Sequence, residues 1–327
     1  MKRLNQIWPN VSKVSTIKYF LILIGTGAYI FAKGQDAMFT HHMFNRAMVN
    51  PGYAGSSELM EISMLNRNQW WGWSGVSPRY TNGTVTLPFN LFGMSHGAGL
   101  AFNNDKFGVN NDIGAKLIYA FQRKIAISDG TLGIGISAGI NSSTFDGAAL
   151  NGGNDPLVPS QKLTGMTIFD MGIGVYYKTE KIYFGLSSTH LLTGTRDYKL
   201  SSGLDVLPLR PQYYAMAGYA YQLPNPMLTV VPSFLVQSDG KMTSLSFNTN
   251  LVYNNRIWGG VSYNMGTAVS ALFGLELMPG IKFGLSYDYD TSILHRASNG
   301  SIEVFVLYGF KLKKEKIPQK YKSLRYL

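Results

Sequence analysis

The chain has 327 residues, 36 glycines, no cysteine and only 14% charged residues, against roughly 25% in soluble domains. The missing cysteines exclude a disulfide-stapled scaffold, thiolate metal sites and lipid attachment through cysteine. The net charge is +11, but +5 of it lies in residues 1–34 and +6 in 311–327, so the body between is neutral. No nucleic-acid-binding motif accompanies those basic ends, and a nucleic-acid partner is not expected.

In chain order, Lys13 and Lys18 precede an apolar run of thirteen residues, 19–31. That is shorter than the ~20 residues a spanning helix needs. Ala32-Lys33-Gly34 then places small residues before Gln35. Residues 1–34 therefore read as a cleaved export signal, with an uncleaved anchor as the alternative. Residues 35–57 follow, a stretch without strand periodicity, read as an N-terminal periplasmic or plug segment.

From residue 58 the pattern has a period of two. "IKFGLSYDYD" places Ile281, Phe283, Leu285, Tyr287 and Tyr289 on one face. "LGIGISAGI" alternates Leu132, Ile134, Ile136, Ala138 and Ile140 with glycine and serine. Such alternation defines strands with one apolar and one polar face. About fourteen segments show it: 58–70, 80–89, 95–105, 112–124, 130–141, 166–179, 181–191, 211–222, 226–238, 243–253, 255–265, 267–278, 280–290 and 300–311. Very short turns at Thr179-Glu180, Pro224-Asn225, Asn254 and Pro279 contrast with the long gaps 142–165, 192–210 and 291–299.

The second face is mostly Gly, Ser, Asn and Thr, with scattered charges such as Lys116, Asp170 and Asp288. A soluble sandwich would carry Lys and Glu there. The apolar face thus reads as lipid-facing and the glycine-rich face as lumen, with Tyr and Phe near strand ends as an aromatic girdle. The fold expected over 58–311 is all-β, a transmembrane antiparallel outer-membrane barrel of about fourteen strands with periplasmic termini. The lumenal glycines admit two readings: easing the twist of a small barrel, or leaving room for a plug or partner segment.

The sequence offers no chemistry of an enzyme and no cofactor. The five histidines form no metal-ligand spacing, and His41-His42 points its side chains apart. Ser188 and His190 share the side of a strand that Ile182, Phe184 and Leu186 assign to lipid. Asp288 and Asp290, at a strand end, read as solvated lumenal charges, with cation binding as the alternative. The candidate partner-binding residues are instead Asn50, Pro51 and Tyr53, the run Arg67, Gln69, Trp70 and Trp71, and Tyr321, Lys322, Arg325 and Tyr326 in the basic periplasmic tail 312–327. Asn50-Pro51 fixes an extended turn, Gly52 and Gly55 allow tight bends, and Trp70-Trp71 sits at a strand end by a longer connection.

Four pieces resemble the PorP/SprF membrane proteins of the type IX secretion system in Bacteroidota. They are Gln35-Asp36 to Phe39 with Met43-Phe44-Asn45; Asn50-Pro51-Gly52-Tyr53-Ala54-Gly55-Ser56; Arg67-Asn68-Gln69-Trp70 with Gly72, Gly75 and Pro78; and Asn299-Gly300-Ser301-Ile302-Glu303 with Leu307, Tyr308 and Phe310. Ile302 stands where the family usually has histidine, and Ala37 where proline is frequent. The resemblance implies an outer-membrane barrel supporting export or surface anchoring of a large secreted adhesin with a type B C-terminal domain. It also implies contact with periplasmic components of that machine and with outer-membrane lipid. The strand pattern alone equally suits a FadL-like or porin-like channel for small molecules.

Overall fold

The computed structural model describes residues 38–73, 77–127, 129–149, 162–165, 167–192, 209–296 and 298–312. Sixteen strands appear among them: β1 (Met60–Asn68), β2 (Arg79–Leu91), β3 (Met94–Phe107), β4 (Asn110–Ile125), β5 (Gly130–Asp146), β6 (Lys162–Thr164), β7 (Ile168–Lys178), β8 (Ile182–Thr189), β9 (Gln212–Tyr219), β10 (Tyr221–Gln222), β11 (Leu228–Ser238), β12 (Thr243–Tyr253), β13 (Ile257–Asn264), β14 (Ala268–Met278), β15 (Ile281–Asp290) and β16 (Ser301–Phe310). Fourteen of them form the wall. β6 is a flap on the end of β5, and β10 continues the line of β9 against β11.

Every pairing is antiparallel, and the sheet closes where β16 returns to β1, from Met60↔Phe310 to Asn68↔Ile302. Closure leaves no sheet edge, which is what lets strands cross a layer without water to hydrogen-bond them. The even count brings the start of β1 and the end of β16 to one rim. Every connection on that rim is short, and three further short ones, after β3, β11 and β13, lie on the other rim. At the connection after β12, Asn254 and Asn255 both have positive φ, 50° and 55°, a pairing typical of two-residue hairpins. The long connections, after β1, β5, β8 and β15, all lie on the opposite rim.

The alternation in sequence becomes an alternation in exposure. On β15, Leu285 is 43% exposed and its neighbour Ser286 only 1%. On β7, Ile173 and Val175 point outward while Gly172 and Gly174 point in. No helix among the described residues is long and apolar enough to cross a membrane. The closed wall with its apolar outside has the form in which strands cross one.

The lumen is not the purely small-and-polar space its sequence suggests. Tyr176, Tyr183, Trp258 and Phe305 turn inward and are buried together with Leu65 and Met216. Inward glycines on neighbouring strands make room for these rings: a Cβ at Gly218, Gly274 or Gly284 would run into Tyr183, Trp258 or Phe305 respectively. One use of the inward glycines is therefore to accept aromatic rings.

If the outward face meets lipid, Leu285→Arg and Val175→Arg each cost ~2–4 kcal/mol in a lipid-refolding titration. Leu285→Phe is then close to neutral, because nothing rigid surrounds the ring. A protein core at that face would instead penalise the larger ring by ~1–3 kcal/mol. Equal losses for Phe and Arg at position 285 contradict the lipid-facing assignment.

Candidate functional site: a filled lumen and an aromatic rim

Residues 38–57 run inside the barrel as three short turns in series: a 3-10 turn at His42–Phe44, one helical turn at Arg46–Val49, and a second 3-10 turn at Pro51–Tyr53. Nearly all of this stretch is buried. A segment with so little regular structure has many backbone groups to satisfy, and the barrel wall satisfies them from the side. Lys116 Nζ donates to Met48 O at 2.7 Å and Ser187 Oγ to Val49 O at 2.7 Å. Gln122 Nε2 donates to both Gly52 O and Ala54 O, at 3.0 and 2.6 Å.

Asn50 works in both directions. Its Oδ1 caps the second 3-10 turn by accepting from Gly52 N at 2.9 Å. Its Nδ2 donates to the wall carbonyls of Val175 and Leu186, at 3.0 and 3.3 Å. This approach needs a wall without side chains. A Cβ on Gly135 would come within 2.6 Å of Gly52 N, and one on Gly174 within 2.9 Å of Pro51 Cδ. Gly97 lies against Ala54 in the same way. These three glycines serve close backbone approach rather than twist.

Two buried groups of side chains hold the segment at its ends. The first lies towards the long-loop rim. Arg67 on β1 contacts Asp288 Oδ2 on β15 through Nη2 at 2.6 Å, and Glu303 Oε2 on β16 through Nη1 at 3.2 Å. The same Nη1 donates to Thr40 Oγ1 at 3.0 Å. Thr40 donates its hydroxyl to Asp288 at 3.0 Å and its N–H to Glu303 Oε2 at 3.0 Å. His41 meets Glu303 Oε1 through its backbone N–H at 2.7 Å and through Nδ1 at 2.8 Å. The three charged side chains are at most 6% exposed. Charges so deeply buried are stable only when paired and fully hydrogen-bonded, and here the lumenal segment supplies much of the hydrogen bonding.

The second group lies nearer the short-turn rim. The Arg46 guanidinium sits 4.0 Å from the Tyr183 ring centroid and donates to Tyr176 Oη at 3.0 Å. Tyr53 donates to Glu61 Oε2 at 2.8 Å and packs edge-on against Tyr176. Between the groups Phe44 stacks on Phe305 at 4.5 Å and lies against Trp258 at 5.1 Å. His42, on the lumenal segment, has its imidazole lowered to about 4, first by burial and then by Arg46.

The sequence-derived candidates thus fall into separate places. Asn50 and Pro51 are buried in the lumen, as is most of Tyr53. Arg67 is buried in the charge cluster and is not a rim residue. Trp70, Trp71 and Trp73 continue β1 at the long-loop rim, with Trp71 exposed and the other two half-buried. Trp71 is 62% exposed and exchanges backbone bonds with Asn299 and Gly300. Trp70 has φ 52° and packs on Trp73 and Phe107, and Gln69 is tied by its backbone to Pro78. Tyr321, Lys322, Arg325 and Tyr326, like residues 1–37, lie outside the described residues.

Sequence reasoning missed several members of the site. Asp288 and Asp290 are not solvated: Asp288 is fully buried on Arg67, and Asp290 accepts from Ser298 Oγ at 2.8 Å. Thr40, His41, Arg46 and Tyr176 carried no local signal. His190 does not face lipid. Its φ of 55° breaks the alternation and turns the ring to Asp170 at 2.9 Å. Ile302, at the position where histidine is usual in the resembled family, alternates with the inward Ser301 and Glu303.

A closed outer-membrane β-barrel whose lumen is occupied by its own N-terminal segment is the class this geometry defines. The model of the type IX secretion system membrane protein family PorP/SprF matches residues 31–308; the chain belongs to that family, and its place is the outer membrane. No curated protein matches it. Among solved structures it is similar to the outer membrane protein Omp33 of Acinetobacter baumannii, with TM-score 0.43, 8% identity, and 78% of this chain and all of that one covered. It is also similar to a TodX deltaS2S3 mutant, a monoaromatic hydrocarbon channel, with TM-score 0.48, 12% identity, and 82% and 94% coverage. The KdgM porin in complex with disordered oligogalacturonate follows, with TM-score 0.36, 8% identity, and 76% and 99% coverage.

Removing the guanidinium leaves Asp288 and Glu303 as facing buried carboxylates, so Arg67→Ala costs ~3–5 kcal/mol of local stability. The expected result is a protease-sensitive segment 38–57 in a barrel that still shows heat-modifiable migration. Gly135→Ala gives the same phenotype by steric expulsion, whereas Gly259→Ala, with only Leu272 O within 4 Å, does not. A protease-resistant segment in both Arg67→Ala and Gly135→Ala contradicts the contacts described.

The low His42 value sets a pH window. The unfolded imidazole takes a proton near 6.5 and the folded one only near 4. The neutral ring's contribution is complete above pH 6.5 and declines as pH falls towards 4, by up to ~1.4 kcal/mol per unit. Protease sensitivity of the segment therefore rises across that window in wild type and less steeply in His42→Gln. Identical profiles contradict a buried neutral His42.

Proposed function

We propose that this protein is a protein-interaction barrel of the type IX secretion system rather than a conduit. It supports export or surface anchoring of a large adhesin-type substrate with a type B C-terminal domain. The observation that carries the reading is the occupied lumen. A diffusion pore keeps its lumen open, whereas here residues 38–57 fill it and are bonded to β1, β4, β7, β8, β15 and β16. With the lumen filled, the surfaces left for work are the rims.

The long-loop rim presents Trp70, Trp71 and Trp73 beside Phe107, a set of large amphipathic rings of the kind that anchors interfaces. In this reading that rim faces outward and receives the substrate. The short-turn rim faces the periplasm, where the basic tail 312–327 meets an acidic surface of a periplasmic component of the machine. The family's membership of a secretion system supports both assignments.

Two measurements test the reading. In planar bilayers the purified protein produces no steady conductance, and deletion of residues 38–57 creates an open pore; steady wild-type channels would instead mark a small-molecule channel. In cells, Trp70→Ala with Trp71→Ala reduces surface display of the adhesin about tenfold or more, the scale of one lost hot-spot contact. Unchanged display by a correctly inserted double variant overturns the docking role of this rim.

A further inference from the structure

The outward face of β1–β5 carries an open, apolar groove of about 610 Å³. Leu100 and Phe102 on β3 and Leu117 on β4 are exposed and form its walls. Gly83, Ala115 and Ala138, from β2, β4 and β5, form its floor. Small and large side chains alternate within two neighbouring cross-strand rows, Gly83↔Phe102↔Ala115 and Leu100↔Leu117↔Ala138. A wall of uniformly large residues would be smooth at that place; this one is furrowed.

The same strands continue towards the short-turn rim with a polar cluster on the same outward face. His96 on β3 and Tyr119 on β4 are bonded, Nδ1 to Oη, at 2.8 Å. The imidazole stacks on Phe89 at 5.3 Å and meets the Phe121 ring edge-on at 5.5 Å. It is 5% exposed, and its Nε2 has no hydrogen-bond partner. Whichever nitrogen carries the proton, one N–H or O–H of this pair lacks an acceptor. A polar pair in a lipid-facing wall is costly unless something satisfies it, and Tyr119 is its exposed member. Four positions beyond Tyr119 on the same face, Arg123 is exposed and has no ion pair among the described residues. Lys124 beside it pairs instead with Glu58, at 3.3 Å.

The spacing matches one leaflet. From Leu117 in the groove to Arg123 is six residues, ~20 Å along a strand. At a strand tilt of roughly 35–45° this is ~15 Å of depth, half of a ~30 Å hydrocarbon layer. A chain lying in the groove therefore has its head at Arg123, where a guanidinium meets a phosphate with charge-assisted bonds.

We propose that the outer wall of β2–β5 is a binding site for one anionic diacyl phospholipid of the leaflet at the short-turn rim. Arg123 takes the phosphate, the Tyr119–His96 pair donates to an ester carbonyl, and the groove holds an acyl chain. The site lies on the outside of the barrel and does not depend on the secretion role.

The test uses the full chain, purified in detergent and titrated with dioleoylphosphatidylglycerol under native mass spectrometry. One lipid per barrel stays bound after the detergent is stripped. Dioleoylglycerol, with the same chains and no phosphate, binds about tenfold more weakly or worse, the scale of a lost charge-assisted contact. Arg123→Gln brings phosphatidylglycerol down to the level of dioleoylglycerol. Ala138→Phe fills the groove from the lipid side, where a larger ring has room, and weakens both lipids. Arg256→Gln, at the β12–β13 turn of the same rim, and Val261→Phe, on the outward face of β13, leave binding unchanged. Equal retention of the two lipids in wild type overturns the proposal, as does undiminished binding by both Arg123→Gln and Ala138→Phe. A dimer of barrels that excludes the lipid also overturns it, by giving the groove to a second copy of the chain.

Discussion

The pairing of Arg67 with Asp288 and Glu303 is the constraint on which the rest of this structure depends. Strands β1, β15 and β16 each contribute one charge to a lumen that is nearly dry at that point. Three charges on adjacent strands could pair among themselves, but their remaining lone pairs and protons would stay unsatisfied. Thr40 and His41 supply part of that satisfaction, with two backbone N–H groups, a hydroxyl and an imidazole nitrogen. The cluster is at once the latch of the lumenal segment and the place where the barrel's closing strand meets its first.

The rest of the lumen follows from having a chain folded inside it. Gly97, Gly135 and Gly174 let its backbone approach the wall. Gln122, Lys116 and Ser187 face inward because its carbonyls need donors. Tyr176 and Tyr183 enclose Arg46, whose charge would otherwise be stranded in the interior. Phe305 and Trp258 replace water around Phe44. A porin lumen has no reason to carry such a core.

The wall was legible in the sequence, and the lumen was only partly so. A period of two over ten or more residues reports directly which face a side chain takes, and strands such as 281–290 keep it throughout. Turn residues marked the tight rim for the same local reason. The latch is different: Thr40 and Glu303 are 263 positions apart, and nothing near Asp288 distinguishes a buried ion-pair partner from a solvated carboxylate. Arg67 and Glu303 each stood inside a recognisable motif, yet their meeting is a product of barrel closure. The glycines carried an ambiguous signal, because easing twist, seating an aromatic ring and admitting a backbone all call for the same missing side chain. His190 was misplaced because a single positive φ inverts the side a strand pattern assigns.

The most direct test of the account asks whether the lumenal segment is shielded in the native barrel. The chain has no cysteine, so a single Ala47→Cys, 4% exposed at present, reports on the lumen without background. Labelling of isolated outer membranes with a bulky, membrane-impermeant maleimide is compared with an exposed control, Lys241→Cys. The account predicts that position 47 stays unlabelled while position 241 reacts fully, and that position 47 becomes reactive on unfolding. Labelling of position 47 at the rate of the control in the intact membrane would contradict it.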